Sequence, residues 1–262
     1  VGPVHAGIIE PGHFRFQCHG ETVHHLEIAL GYQHRGIAKA LRGRPDRRRT
    51  MLAEAIAGDT SVGHATAYCS ALEALCGTDV PARAQVLRGV ALELERMANH
   101  IGDLGALAGD VAFLPTMSFC GRIRGDVLNI TAEMCGNRFG RGLVAPGGLV
   151  RDIDGDIAGR MSAALSKAIS EAEEVVGLLW DTPSVLSRFE GTGTVTRALA
   201  SAIGLVGPAA RASGLELDSR RDFPGGIYRM SHIPLSVWDS GDVFSRALVR
   251  WMEIQDSLAF VR

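Results

Sequence analysis

The sequence contains no uncharged apolar run of about 18 residues, the length that a membrane-spanning helix needs. Its net charge of −2 leaves no surplus of basic residues for a nucleic-acid surface. It has neither a dinucleotide fingerprint nor a phosphate-binding P-loop, so no motif supports nucleotide binding. The five cysteines form no C-x-x-C pair and therefore encode neither a disulfide framework nor a thiolate cluster. We expect a cytoplasmic protein with reduced thiols and no nucleic-acid partner.

A small β-rich part followed by long helical segments is what the sequence does contain. We predict one domain over residues 1–262, with β structure in 1–34 and a helical bundle in 46–262. The long helical segments are predicted at 47–56, 60–76, 81–113, 117–135, 152–180 and 239–262, with shorter pieces in 184–239. Gly77 suits the end of the second segment, Pro81 suits the start of the third, and Pro115 is expected to end it. The fold class is therefore mainly α, with a small antiparallel β region packed on a bundle of long helices.

Two features of the composition add to this prediction. Glycine is abundant, at 32 of 262 residues, which predicts tight connections and close backbone approaches between helices. Basic residues are concentrated between Arg35 and Arg49, as is typical of a solvated face or of a surface that docks on an acidic partner. The last helix is still in progress at Arg262, so we expect the natural chain to continue beyond it.

The segment from Gly58 to His64 is the first candidate site. Asp59, Thr60 or Ser61 can cap the following helix, and this structural role is one interpretation of the segment. The other is a proton-handling cavity, because a carboxylate, a hydroxyl and the imidazole of His64 lie beside glycines that allow close approach.

A polar strip runs through the otherwise apolar helix that follows. It consists of Glu93, Glu95, Arg96, Asn99, His100 and Asp103. Hydrogen bonding between helices of the bundle is one interpretation of the strip, and the lining of a polar channel is the other.

Several motifs in register across the chain resemble one family, the large subunits of nickel–iron hydrogenases and the related D subunit of respiratory complex I. They are E-P-G-H-F-R at 10–15, H-R-G at 34–36, H-A-T-A-Y at 64–68, L-E-L-E-R at 92–96 and G-D-V-F-S-R at 241–246, followed by Arg250, Glu253, Asp256 and Ser257. The formate hydrogenlyase type of large subunit is the nearest in pattern. The resemblance implies a hydrogenase-large-subunit-like fold.

Three positions depart from the hydrogenase pattern. The thiolates that hold the nickel–iron centre in that family correspond to Ala57 and Thr60 here, and the glutamate of its R-G-x-E motif corresponds to Ala38. Because alanine and threonine cannot replace thiolates at a soft metal, we expect no nickel and no other metal at this position. The second pair of family cysteines would lie beyond Arg262.

The resemblance implies a site built around the vacated metal position. His64 and Asp59 are the candidate proton donors. His13, Thr60, Gly58 and His34 are the candidate residues of a quinone cavity. The tyrosine that complex I uses to bind quinone corresponds to Gly58, and its N-terminal histidine falls near Pro11, with His13 as the closest substitute.

The function that the resemblance implies is that of an oxidoreductase subunit in a membrane-associated complex, inactive as an isolated chain. An iron–sulfur cluster would lie in a small partner subunit, membrane-arm subunits would dock nearby, and NAD would enter only through the complex. The chain would then be peripheral on the cytoplasmic side of the inner membrane. The alternative is a scaffold or coupling subunit without catalysis, because an emptied metal site does not guarantee activity.

Overall fold

A computed structural model describes residues 1–5, 11–43 and 46–262. Glu10 of the first family motif and Arg44 and Pro45 of the basic segment lie outside the described residues. The chain divides into two compact units, Val1–Arg44 and Pro45–Arg262. The division falls between the predicted β-rich part and the predicted helical bundle.

The N-terminal unit is built on a β-hairpin. Strand β1 (His13–His19) pairs antiparallel with β2 (Thr22–Ala29), and a bulge at Gln17/Cys18 shifts the register. Gly20 takes a positive φ of 58° in the connecting turn, a conformation that glycine adopts without strain. A short helix α1 (Ile37–Ala40) follows. The predicted antiparallel β region is thus confirmed.

The C-terminal unit is a bundle of long helices with short elements between them. The helices that frame the bundle are α2 (Arg47–Glu54), α3 (Ser61–Cys76), α4 (Ala82–Asp110), α5 (Leu114–Cys135), α6 (Gly155–Trp180) and α11 (Val243–Val261). The shorter elements are β3 (Val144–Ala145), β4 (Gly148–Leu149), α7 (Pro183–Phe189), α8 (Arg197–Ala202), α9 (Gly207–Ala212), α10 (Ser219–Asp222) and a 3₁₀ helix (Gly226–Met230). The mainly α prediction is confirmed. Among the described residues, no helix combines the length and apolar character that crossing a bilayer requires.

Helix α4 is the centre of this unit, packing against α5 on one side and α11 on another. Its fully buried side chains include Leu94, Met97, Ile101 and Leu104. These positions recur every three or four residues and so form a single apolar face, which removes that surface from water.

Three glycines on α4 allow α5 to lie close to it. A Cβ atom added to Gly105 would lie 2.8 Å from the Cβ of Cys120, and one added to Gly109 would lie 2.7 Å from the sulfur of Met117. At Gly102 the added atom would lie 2.8 Å from the Cδ of Arg124. The abundance of glycine therefore reflects close helix packing here, as the composition predicted.

A buried ion pair between Glu73, near the C-terminal end of α3, and Arg88 of α4 also binds the β3–β4 turn. Arg88 donates to both carboxylate oxygens of Glu73, at 3.0 and 2.7 Å, and also to the carbonyl oxygens of Ala145 and Gly148. The amide of Gly147 donates to Glu73. Every charged oxygen of this carboxylate thus has a donor, which offsets the cost of burying the pair.

Candidate functional site

The start of α3 is capped by a side chain from another helix. Thr60 occupies the N-cap position, but its side chain accepts no capping hydrogen bond. The carboxylate of Glu95 on α4 accepts from the amides of Val62, at 2.7 Å, and Gly63, at 2.9 Å. The capping expected of Asp59, Thr60 or Ser61 is therefore performed by Glu95, because these first-turn amides have no partner within their own helix.

Gly63 is what allows this approach. A Cβ atom there would lie 3.2 Å from the Oε1 of Glu95 and 3.1 Å from the Cγ2 of Thr60. Both distances are shorter than comfortable packing allows. The glycine in this sequence motif thus serves the close contact between α3 and the Glu95 carboxylate.

The environment of Glu95 favours its neutral form. Burial raises its pKa to about 7, and the amides of Val62 and Gly63 and the charge of Arg96 lower it only in part. No ion pair in the described part of the chain includes Glu95. A carboxyl group with this pKa exchanges its proton near neutral pH, which suits acid–base chemistry.

Glu95 lines a large cavity of about 990 Å³ in the C-terminal unit. One wall is a face of α3 from Thr60 to Gly77, a second is a face of α4 from Gln85 to Asn99, and the third is formed by residues 219–229. Leu92, Phe223 and Ile227 contribute apolar surface, and Thr66 contributes a hydroxyl. That hydroxyl is buried and has no hydrogen-bond partner among the described residues.

Glu95 also lines a second, much smaller pocket. This pocket has room for about one water molecule, at about 10 Å³, and is lined by Asp59, Arg138 and Phe139 among others. Asp59 is exposed and pairs with Arg124 at 3.2 Å, while its carbonyl oxygen accepts from Asn99 at 3.0 Å. Glu95 therefore lines both a cavity large enough for an organic ligand and a small pocket that an exposed carboxylate also lines.

The remaining charges of the polar strip form a buried network with α11 and residues 211–220. Glu93 accepts from Arg220, at 3.0 Å, and from the hydroxyls of Tyr228 and Ser257, both at 2.6 Å. Arg96 lies within 3.3 Å of Glu93 and of Glu253. Glu93 thus joins helices by hydrogen bonds, as one interpretation of the strip expects. Glu95, Arg96 and Asn99 line the cavity, and the polar channel stays a prediction.

Glu253 is the second buried carboxylate of this network. Burial favours its neutral form, but His100, Arg211 and Arg96 lower its pKa to about 2. Burial lowers the pKa of His100, so this imidazole is neutral at pH 7 and its Nε2 donates to Glu253 at 2.7 Å. The network therefore joins α4 and α11 through ion pairs and hydrogen bonds to Glu253.

The residues predicted from the sequence fall in different places. Thr60 lines the large cavity and Asp59 the small pocket, while His64 and Gly58 are not among the lining residues of either. His64 is partly buried on α3. His13 lies on β1 and His34 in the loop after β2, both in the N-terminal unit. Their roles in a site stay predictions.

Sequence reasoning placed Glu95 in the polar strip but did not select it as a site residue. Its amide partners lie 32 and 33 residues earlier in the chain, so no local spacing reveals the contact. The available signal was the glycine in the first turn of α3, which predicts that something lies close to it.

The donors at the family's thiolate positions do not suit a nickel–iron centre. Ala57 has no donor atom, and Thr60 has a hydroxyl, which is a poor ligand for a soft metal. Cys69 and Cys120 are buried, and burial raises the pKa of each thiol to about 11, so both are protonated. No group of three or more His, Cys, Asp or Glu side chains in the described ranges is arranged to hold a metal ion.

The cavity combines apolar surface with hydrogen-bond donors, a lining that suits an organic ligand. A quinone needs an apolar slot and hydrogen-bond donors for its carbonyl oxygens. Leu92 and Ile227 offer the slot, and the hydroxyls of Thr60 and Thr66 and the guanidinium group of Arg96 can supply donors.

Comparisons with known proteins agree with this fold. Residues 110–262 match the family model described as the 49 kDa subunit of respiratory-chain NADH dehydrogenase. The whole chain is 34% identical to 73% of the carbon monoxide-induced hydrogenase of Rhodospirillum rubrum. It is 29% identical to 72% of an NADH-quinone oxidoreductase subunit of Dehalococcoides mccartyi.

A solved structure shows the same architecture. The whole chain superposes on 70% of a chain of the membrane-bound sulfane sulfur reductase, an archaeal respiratory membrane complex, with a TM-score of 0.92 and 24% identity. The predicted hydrogenase-large-subunit-like fold is thus confirmed. The chain belongs to the family of the 49 kDa subunit of respiratory-chain NADH dehydrogenase.

Proposed function

We propose that this chain is an electron-transfer subunit of a membrane-associated complex related to hydrogenases and NADH–quinone oxidoreductases, and that a quinone is reduced in the large cavity. The observation that carries the proposal is the cavity of about 990 Å³ beginning at Thr60, where the family's metal thiolates are replaced. Relatives named as hydrogenase and NADH-quinone oxidoreductase subunits support this class of reaction.

In this proposal the chain supplies the walls of the site and the protons. Thr60, Thr66 and Arg96 would orient the quinone carbonyl oxygens, and Leu92 and Ile227 would exclude water from its ring. Asp59 and His64 stay candidate proton donors, and Gly58, His13 and His34 stay candidate residues of the quinone site. When bound, the quinone supplies the two-electron acceptor chemistry.

The partners and cofactors follow from the same proposal. Electrons would come from an iron–sulfur cluster in a small partner subunit, and NAD would act only through the complex. The chain would hold no nickel. Through membrane-arm partners it would be peripheral on the cytoplasmic side of the inner membrane, and the isolated chain would be inactive.

A cavity-filling pair of variants tests the proposal. Ala67 lines the cavity on an exposed face of α3, and Ala71 is exposed on the same helix outside the lining. We expect Ala67→Trp to weaken binding of a short-chain ubiquinone, measured by calorimetry on the purified complex, by at least about tenfold, a loss of about 1.4 kcal/mol. Ala71→Trp should bind as the wild type does. Equal binding by all three proteins would refute the quinone site.

A scaffold or coupling subunit is the second candidate. The buried network of Glu93, Glu253 and their arginines favours it, because such a network fixes helix positions without requiring a ligand. A complex that assembles around this chain and binds no short-chain ubiquinone would support the scaffold. Stoichiometric nickel in the purified complex, held by this chain, would contradict both candidates.

A further inference from the structure

Glu95 is the one residue with a titratable side chain that lines both compartments of the site in the described structure. It lines the large cavity with Thr60 and Leu92, and the small pocket with Asp59 and Arg138. Asn99 is the other residue that lines both, but its amide cannot carry a proton at neutral pH. A proton that passes between the two compartments by way of a side chain therefore has Glu95 as its carrier.

The surroundings of Glu95 leave it free to change charge. On α4 the neighbouring Arg96 is directed to Glu93 and Glu253. On the pocket side Asp59 is paired with Arg124 of α5, and the guanidinium group of Arg138 lies 4.8 Å from the centre of the Phe139 ring. From α3 the contacts are the neutral amides of Val62 and Gly63, with His64 next in the chain. These amides can stabilise a carboxylate without preventing its protonation.

We propose that Glu95 is the proton relay of the cavity, which takes up protons from the small pocket beside Asp59 and delivers them to the acceptor in the large cavity. The inference rests on the proposed function, since the acceptor is the quinone. It adds a proton carrier that differs from the predicted donors His64 and Asp59. Burial holds the pKa of Glu95 at about 7, so both forms are populated near neutral pH.

The proton balance is simple. The quinone gains two electrons, which come one at a time from an iron–sulfur carrier of a partner subunit, and two protons. For each proton, the O–H bond of the Glu95 carboxyl group breaks and a new O–H bond forms at a quinone oxygen. The resulting carboxylate is held by the amides of Val62 and Gly63 until a proton arrives from the small pocket.

Infrared difference spectroscopy tests whether Glu95 gains and loses a proton near neutral pH. A wild-type sample of the purified complex should lose one protonated-carboxyl band on titration through neutral pH, and Glu95→Gln should lack this change. Glu174→Gln is the matched control, because Glu174 is exposed on α6, far in sequence from the site. A neutral-pH carboxyl band that persists in Glu95→Gln would overturn the relay.

Turnover of the complex tests whether Glu95 delivers protons to the quinone. We expect Glu95→Gln to lower the rate of short-chain ubiquinone reduction at least about tenfold and to remove its pH dependence near neutrality, while quinone binding is retained. Glu95→Asp should restore part of the rate, and reduction of ferricyanide, which takes up no proton, should be unchanged. Undiminished quinone reduction by Glu95→Gln would overturn the relay alone. A wild-type complex that neither binds nor reduces quinone would overturn the proposed function and the relay together.

Discussion

Glu93 and Glu95 lie two residues apart on α4, and their surroundings could hardly differ more. Glu93 is fully buried and accepts from Arg220, Tyr228 and Ser257. Glu95 accepts only from backbone amides among the hydrogen bonds of the described chain. The residues project from different faces of the helix because two positions advance it by about 200°. The comparison shows that neighbouring positions of one helix can place one carboxylate in a network of arginines and hydroxyls and the other against backbone amides.

The largest expected effect comes from removing the charge of Glu93. Glu93→Gln would leave Arg220 and Arg96 without one of their two carboxylate partners inside the protein. We expect the free energy of unfolding to fall by about 3–5 kcal/mol, the usual cost of breaking a buried ion pair. Chemical denaturation measures it, with Glu174→Gln as the control. A loss below about 1 kcal/mol would show that Glu93 is dispensable for the fold.

The raised pKa of Glu95 can be tested through the pH dependence of protein stability. The folded pKa of about 7 is above the ordinary value of 4.5, so the folded state holds this proton more tightly. Protonated Glu95 therefore contributes about 3 kcal/mol to the free energy of unfolding. This contribution is complete below pH 4.5 and is lost as the pH rises through 7. The wild-type minus Glu95→Gln difference in unfolding free energy should therefore fall by about that amount between pH 4.5 and pH 8. A constant difference would mean that Glu95 is ionised throughout.

A smaller effect is expected from crowding the contact itself. Gly63→Ala places a methyl group 3.2 Å from the Oε1 of Glu95, so one of the two must shift, and we expect a loss of about 1–2 kcal/mol. Gly125→Ala is the matched variant, because it has open space within α5. Alanine there should stabilise by about 0.5–1 kcal/mol through helix propensity. Thermal unfolding of the two proteins should shift in opposite directions, and parallel shifts would contradict the contact.

The smallest effect is expected from Asp59, the exposed carboxylate that lines the small pocket. Asp59→Asn removes an exposed pair with Arg124, and such pairs contribute about 0–1 kcal/mol to stability. We expect an unfolding free energy within about 0.5 kcal/mol of the wild type, together with slower quinone reduction if protons enter beside Asp59. Unchanged turnover would remove Asp59 from the proton path.

The long helices could be predicted because their ends are encoded locally. Gly77 ends α3 with a positive φ of 63°, as predicted. Helix α4 begins at Ala82, one residue after Pro81, which was predicted as its first residue. The prediction that Pro115 ends α4 is wrong, since α4 already ends at Asp110 and Pro115 lies in the first turn of α5. Proline suits either place because it lacks the amide hydrogen that a first turn leaves unpaired.

The site was harder to predict because its contacts join distant segments. The sequence predicts only short pieces over residues 184–239, yet residues 219–229 from this region form a wall of the cavity. Thr60 and His64 were expected within one helix, but α3 begins at Ser61 and leaves Thr60 outside it. The replacement of the family's thiolates by Ala57 and Thr60 was visible in the sequence. That Glu95 lines the same cavity as Thr60 was not.

The Glu73–Arg88 pair gives the large cavity two unlike ends. Both residues line it at the far end of α3, where Arg88 and the Gly147 amide keep the pKa of Glu73 low despite its burial. That end therefore keeps its ion pair near neutral pH, while the Glu95 end changes between neutral and negative. The electric field along the cavity thus depends on the protonation of Glu95 at one end, against a constant ion pair at the other.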